Sequence, residues 1–210
     1  IQVEHPVTEL VTGIDLVQWQ LRIAAGERLP FRQSDITPRG WAIECRITSE
    51  DSYNGFLPST GSITYLRVPG GPGVRWDGGV EAGSEVGLFY DPMIGKLIVW
   101  AENRGAAVER MRRALLDLSI CGLDTTRDFH LRMMDNADFR EGAIDIQWLE
   151  RTLPSLLAAR PSDRDQRLAL IAAALLAERA RNAPRRTNAG SDSRDVAWTR
   201  LARLQSHPWR

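Results

Sequence analysis

Two hydrophobic periods alternate along the 210-residue chain. A period of two opens it. Ile1, Val3 and His5 alternate with Gln2 and Glu4, which predicts a strand over 1–5. A helical period follows in GIDLVQWQLRIAAGE, where Ile14, Val17, Leu21 and Ala24 or Ala25 recur on one stripe. Asp15 sits in the first turn and Gly26 is a C′ stop. Phe31 to Arg39 reads as a polar connection. From Gly40 the period returns to two: WAIECRI sets Trp41, Ile43 and Cys45 on one face and Ala42, Glu44 and Arg46 on the other. SITYLRV at 62–68, GVRWDGGV at 73–80 and KLIVWAE at 96–102 predict three more strands, the last mostly apolar and therefore central. Gly/Pro turns at close spacing favour one antiparallel sheet. Helices are predicted over 105–118, with Val108, Met111, Ala114, Leu115 and Leu118 on one stripe, and over 125–136, capped by Thr125 or Thr126. IDIQWLE at 144–150 closes an α+β body that begins near Arg39.

Beyond Arg151 the character shifts. DRDQRLALIAAALLAERARN predicts one strong helix, capped by Ser162 or Asp163, and 183–195 reads as a linker. Charge follows the same division. Residues 1–150 hold 15 basic and 22 acidic side chains, and residues 151–210 hold 12 basic and 5 acidic. A basic tail on an acidic body can serve nucleic-acid binding, but this tail lacks the interleaved aromatic residues of single-strand binders. A junction toward another domain is the simpler reading. The longest apolar run, 168–177, is about half the length a membrane span needs. Cys45 and Cys121 lie far apart in apolar runs, so reduced, buried thiols in a cytoplasmic protein are expected. The chain opens on Ile1, in mid-strand, and is expected to be part of a longer protein.

Three local clusters could carry chemistry. Gln2 and Glu4 share one face of the opening strand, either as a grip for a small polar group or as a solvated sheet face. Glu44 and Arg46 share a face of the 41–47 strand. They form either a surface ion pair, worth little, or an arginine aimed at an anion. The turn YDPMIG leads into Lys96, the only lysine among 27 basic residues. It either positions the strand or marks a place where a compact ammonium is wanted. P-loop, G-x-G-x-x-G, G-x-S-x-G and H-E-x-x-H motifs are absent from the sequence.

In this order, IQVEHPVTELVTGIDLV, QLRIAAGE, RGWAIECRITSED, FLPSTGSI, PGGPGVRWD, YDPMIGKLIVWAENR and FREGAIDIQWLE resemble the C-terminal part of biotin carboxylase, over about residues 1–150. That resemblance implies an ATP-grasp enzyme. It would use ATP with Mg2+ (or Mn2+) to activate bicarbonate as carboxyphosphate, then carboxylate biotin on a carrier domain. It implies that 1–38 ends the ATP-grasp domain, that 39–150 is the family's C-terminal domain of antiparallel sheet with helices, and that 151–210 is a helical linker. Glu4 matches the general base that deprotonates bicarbonate. Gln2 and the backbone of Val3 match bicarbonate-holding positions. Arg46 matches the arginine that binds bicarbonate and stabilises the biotin enolate. Ile146 matches a wall of the adenine pocket, and Arg75 a position near the homodimer contact. The family's other ATP and metal ligands precede the position of Ile1, so no metal ligand is expected within this chain. The sequence departs mildly at Ile144, where a small hydroxyl residue is common, and at Asp145, where an amide is common.

The tail resembles the junction in the α-subunits of acetyl-, propionyl- or methylcrotonyl-CoA carboxylases, of fatty-acid metabolism. The implied partners are a carboxyltransferase subunit, a biotin carboxyl carrier domain and further copies of the chain, with no nucleic acid and no membrane. Another ATP-grasp carboxylase or ligase, or a non-catalytic interaction module with a basic tail, are the competing readings. The ECRI and YDPMIGK motifs argue against the first.

Overall fold

A computed structural model describes residues 1–158 and 163–182. Helix α1 (Pro6–Thr12) and helix α2 (Leu16–Ala24) come first, followed by a 3₁₀ turn at Gln33–Asp35. The strands are β1 (Trp41–Thr48), β2 (Glu50–Asp51), β3 (Leu57–Pro58), β4 (Gly61–Ser62), β5 (Tyr65–Arg67), β6 (Val74–Gly78), β7 (Glu85–Val86), β8 (Met93–Ala101) and β9 (Ser119–Cys121). Helix α3 (Arg104–Asp117) precedes β9; α4 (Arg127–Asp135), α5 (Ala137–Glu141), α6 (Trp148–Ala158) and α7 (Asp163–Asn182) follow it. Helices and antiparallel ladders are mixed, so the α+β class holds. The chain divides into two units, Ile1–Ala159 and Arg160–Arg210. In the second, α7 forms where the long helix is predicted. Its proposed cap Ser162, the linker at 183–195 and the final HPWR lie outside the described residues.

The main sheet is antiparallel in the order β1-β8-β6, with β8 central as its apolar sequence predicts. Ile43, Cys45 and Ile47 of β1 and Leu97, Val99 and Ala101 of β8 point to one face. There they meet the α3 stripe Ala107, Val108, Met111, Ala114 and Leu115. Each of these larger apolar side chains contributes about 1.5–3 kcal/mol by leaving water. The Asn103 side chain caps α3, accepting from the Ala106 N–H at 2.9 Å. Gly95 is required by a close approach: an added Cβ would lie 2.5 Å from the Trp76 ring of the neighbouring strand. A smaller cluster of Phe129, Trp148 and Leu156 closes the other side of α4.

Several expectations are corrected. The opening strand over 1–5 is absent; residues 3–5 form a turn into α1. Pro6 at the helix start and Gly13 in the left-handed conformation (φ 72°) at its end bracket a helix whose Val7, Leu10 and Val11 already have helical spacing. The predicted strand at 62–68 is split between two small ladders, β4 with β7 and β5 with β9, and does not join the main sheet. The exchange occurs at Ile63, fully buried, whose N–H donates to Ser84 O at 2.9 Å, while the next N–H, of Thr64, donates to Cys121 O at 2.8 Å. The α2 stripe forms, but no residue of α2 is buried. Cys121 is exposed, because the short strand β9 turns it away from the core.

Candidate active site

The face of the main sheet opposite α3 carries a band of charged side chains around the buried Ile98. On β1, strand alternation places Glu44 and Arg46 there, between residues whose side chains enter the core. Lys96 of β8 is the cross-strand neighbour of both Arg46 and Asp77, and Arg75 of β6 is two residues from Asp77 on the same face. The turn before α1 brings Glu4 to this face, and α1 brings Glu9.

These side chains form a band. Arg46 Nη2 donates to Glu4 Oε2 at 3.3 Å. Arg46 Nε lies 3.9 Å from Glu44 Oε1. Lys96 Nζ lies 3.9 Å from Asp77 Oδ2. Arg75 grips Asp77 with two parallel bonds of 2.8 Å each. It also donates to Glu9 Oε2 at 2.6 Å. The other oxygen of Glu9 accepts from the Leu16 N–H at 2.9 Å, tying the start of α2 to the same network. Arg75 is thus engaged within the chain, joining α1 to β6. Hydrogen bonding to Asp77, against the smaller opposing effect of burial, raises its already high pKa.

Exposure varies along the band. Arg46 and Glu4 keep 52% and 53% of their side-chain surface open, whereas Glu44 keeps 7%. The expected surface ion pair is therefore half buried. Burial is the main cause that raises the Glu44 pKa, with the charges of Lys96 and Arg46 pulling the other way. The Arg46 main chain is held as well: its carbonyl accepts from Thr126 Oγ1 at 3.2 Å and from His130 Nε2 at 2.8 Å. Thr126 is 5% exposed, and burial lowers the His130 pKa. A neutral ring that donates through Nε2 fits this partner.

The structure brings together Glu4 and Arg46, 42 residues apart in sequence. Gln2 is exposed and Val3 partly buried in the turn beside Glu4, so Gln2 and Glu4 do not share a strand face. The Gln2 carbonyl accepts from the His5 N–H at 3.4 Å. Ile146 is fully exposed on the connection between α5 and α6 and belongs to neither apolar cluster. Sequence reasoning missed Asp77, Glu9, Thr126 and His130. The i, i+2 spacing of Arg75 and Asp77 on a strand was the available signal for one of them. Thr126 and His130 offered none, since their role depends on where α4 lies. Among the described residues no group of three or more His, Cys, Asp or Glu side chains could hold a metal ion. Nor is any described helix long and apolar enough to cross a membrane.

Comparison with known proteins matches residues 44–151 to the biotin carboxylase C-terminal domain. Residues 1–32 match the ATP-binding domain of the carbamoyl-phosphate synthase L chain. The chain is 46% identical over 175 residues to the 2-oxoglutarate carboxylase small subunit of Hydrogenobacter thermophilus, covering 83% of this chain and 37% of that protein. It is 51% identical over 150 residues to a pyruvate carboxylase subunit of Methanothermobacter thermautotrophicus, covering 71% and 30%. It is 44% identical over 158 residues to the alpha subunit of the mitochondrial methylcrotonoyl-CoA carboxylase of Rattus norvegicus, covering 75% and 22%. Among solved structures, the biotin carboxylase domain dimer of the Hydrogenobacter enzyme, in complex with MgADP, ADP and bicarbonate, superposes with a TM-score of 0.74 at 47% identity. That match covers 77% of this chain and 35% of the other. The chain thus spans between 22% and 37% of the length of these relatives.

Proposed function

The chain belongs to the biotin carboxylase family, and from that membership we propose that it contributes the bicarbonate- and biotin-facing side of an ATP-dependent biotin carboxylase. The observation that carries the reading is the Glu4–Arg46 pair, 3.3 Å apart with both side chains half exposed. A proton acceptor and a permanent positive charge stand side by side at an open surface. In the proposed reaction Glu4 takes the proton of bicarbonate. Arg46 binds the anion and then steadies the negative charge on the ureido oxygen of biotin as its N1 loses a proton. Gln2 and the Val3 main chain would hold bicarbonate, and Ile146 would offer an apolar contact to adenine. Its full exposure leaves it free for such a contact. ATP and Mg2+ (or Mn2+) supply the activation of bicarbonate. The proposed part of this chain's own residues is to orient the anion and to move its proton.

Residues 1–38 read as the end of the ATP-grasp domain, 39–150 as the C-terminal domain and 151–210 as a junction. The two family matches, 1–32 and 44–151, support the first two. The proposed partners are a carboxyltransferase subunit, together with a biotin carboxyl carrier domain, in a cytoplasmic oligomer. The final carboxyl acceptor would be chosen by the carboxyltransferase, and the varied acceptors in the relatives' names agree with that. The test is Arg46→Ala in the full-length enzyme. Biotin carboxylation should fall by at least about a hundredfold, the scale seen when a preorganised charge at a reacting oxyanion is removed, while ATP still binds. Carboxylation at the wild-type rate would refute the role given to Arg46.

A further inference from the structure

We propose that Glu44 is a positioning residue for Arg46. It would hold the Nε edge of the guanidinium so that the Nη groups face Glu4 and the incoming anion. This rests on the biotin carboxylase reading of the Glu4–Arg46 pair and assigns a further residue to that site.

Three observations carry it. First, the two carboxylates address different edges of one planar guanidinium: Glu4 Oε2 lies 3.3 Å from Nη2 and Glu44 Oε1 lies 3.9 Å from Nε. At 3.9 Å the second contact is charge attraction rather than a hydrogen bond. Because the five N–H donors lie in one rigid plane, attraction at one edge sets where the others point. Second, Glu44 is covered where Arg46 is open: its side chain is 7% exposed against 52% for Arg46. A covered side chain has fewer rotamers open to it, so the carboxylate is the steadier reference for the half-exposed arginine. Third, Glu44 Oε2 is buried without a hydrogen-bond partner among the described residues. An oxygen in that state is costly to bury, and it leaves the carboxylate's attraction to Arg46 uncontested by a hydrogen bond within the described residues.

The setting also accounts for Lys96. It is the cross-strand neighbour of Arg46, one diagonal step from Glu44, and its charge is the leading influence that favours the ionised form of Glu44. The balance still falls on the side of burial, so the negative charge on Glu44 costs the fold something. A purely structural carboxylate would behave in the opposite way, and removing its charge would weaken the protein.

The experiment uses the full-length enzyme with MgATP, bicarbonate and free biotin. If the wild-type enzyme shows no bicarbonate-dependent, biotin-stimulated ATP hydrolysis, the biotin carboxylase reading fails, and this inference fails with it. If the wild type is active, Glu44→Gln should lower kcat for biotin carboxylation about tenfold or more, since small displacements of a reacting group are expensive. KM for ATP should stay unchanged, and the melting temperature should be equal or higher. Glu44→Asp keeps the charge on a shorter arm and should restore part of the rate. A crystal structure of the Gln variant should show the Arg46 guanidinium rotated so that Nη2 no longer faces Glu4 Oε2 as it does here. Wild-type kcat in Glu44→Gln, a variant that melts earlier or fails to fold, or an Arg46 that has not moved would each overturn the proposal while leaving the biotin carboxylase reading in place.

Discussion

Neighbouring residues on one strand can face opposite fates, and β1 shows how far this goes. Cys45 is 2% exposed between two charged neighbours, and burial pushes its thiol up to about 12 from an ordinary value of 9.0. Cys121 is exposed. At pH 8 a disulfide reagent should therefore consume one thiol quickly, that of Cys121. The second should react only after denaturation, because the thiolate is the reacting species. Two fast thiols in the native protein would contradict the buried position of Cys45. The sign of the linkage is also defined. A thiol raised in the folded state favours folding below pH 9, and that contribution is lost as pH rises from about 9 toward 12. At this scale the sequence was informative about type and face. Alternation marked Ile43 and Cys45 as inward and Glu44 and Arg46 as outward. It could not say that Glu44 is covered, because the cover comes from residues distant in the chain.

At the scale of elements, β8 is the member on which the rest depends. It pairs with β1 on one side and β6 on the other and meets α3 with its inner face. Leu97 is fully buried there. Leu97→Ala should cost about 2–5 kcal/mol of stability, read as a lower urea midpoint with an unchanged slope. A loss under about 0.5 kcal/mol, the size usual for surface changes, would place Leu97 outside the core. Long elements with a clean period were legible: β1 and α3 fall within a residue of where their spacing predicts, while β8 starts three residues earlier and α2 is three residues shorter at each end. Short ones were not. The opening five residues alternate like a strand, yet Pro6 and Gly13 bracket the next segment as α1, and the turn before it replaces the strand. The 62–68 run failed for a different reason. Its two halves find different partners, β7 and β9, and no local pattern specifies a strand's partner.

For the whole molecule, the limits of the family matches set the expectation. Only residues 1–32 match an ATP-binding domain, and the chain spans between 22% and 37% of the length of its relatives. A protein made of these 210 residues alone should release no phosphate from ATP in response to bicarbonate, even with biotin present; measurable release would overturn that. The separation of an acidic 1–150 from a basic 151–210 is a property of the sequence alone. So are the two hydrophobic periods, the lone Lys96 and the motifs that carry the family resemblance, because each is written in residue type and spacing. What the tertiary structure alone decided is proximity. The turn before α1 meets β1 so that Glu4 reaches Arg46, 42 residues away. The β1-β8-β6 register sets Arg46, Lys96 and Asp77 side by side. Helix α4 delivers Thr126 and His130 to the carbonyl of Arg46. Spacing along a chain fixes which face a side chain occupies. Which other face it meets depends on long-range packing, and there the site is made.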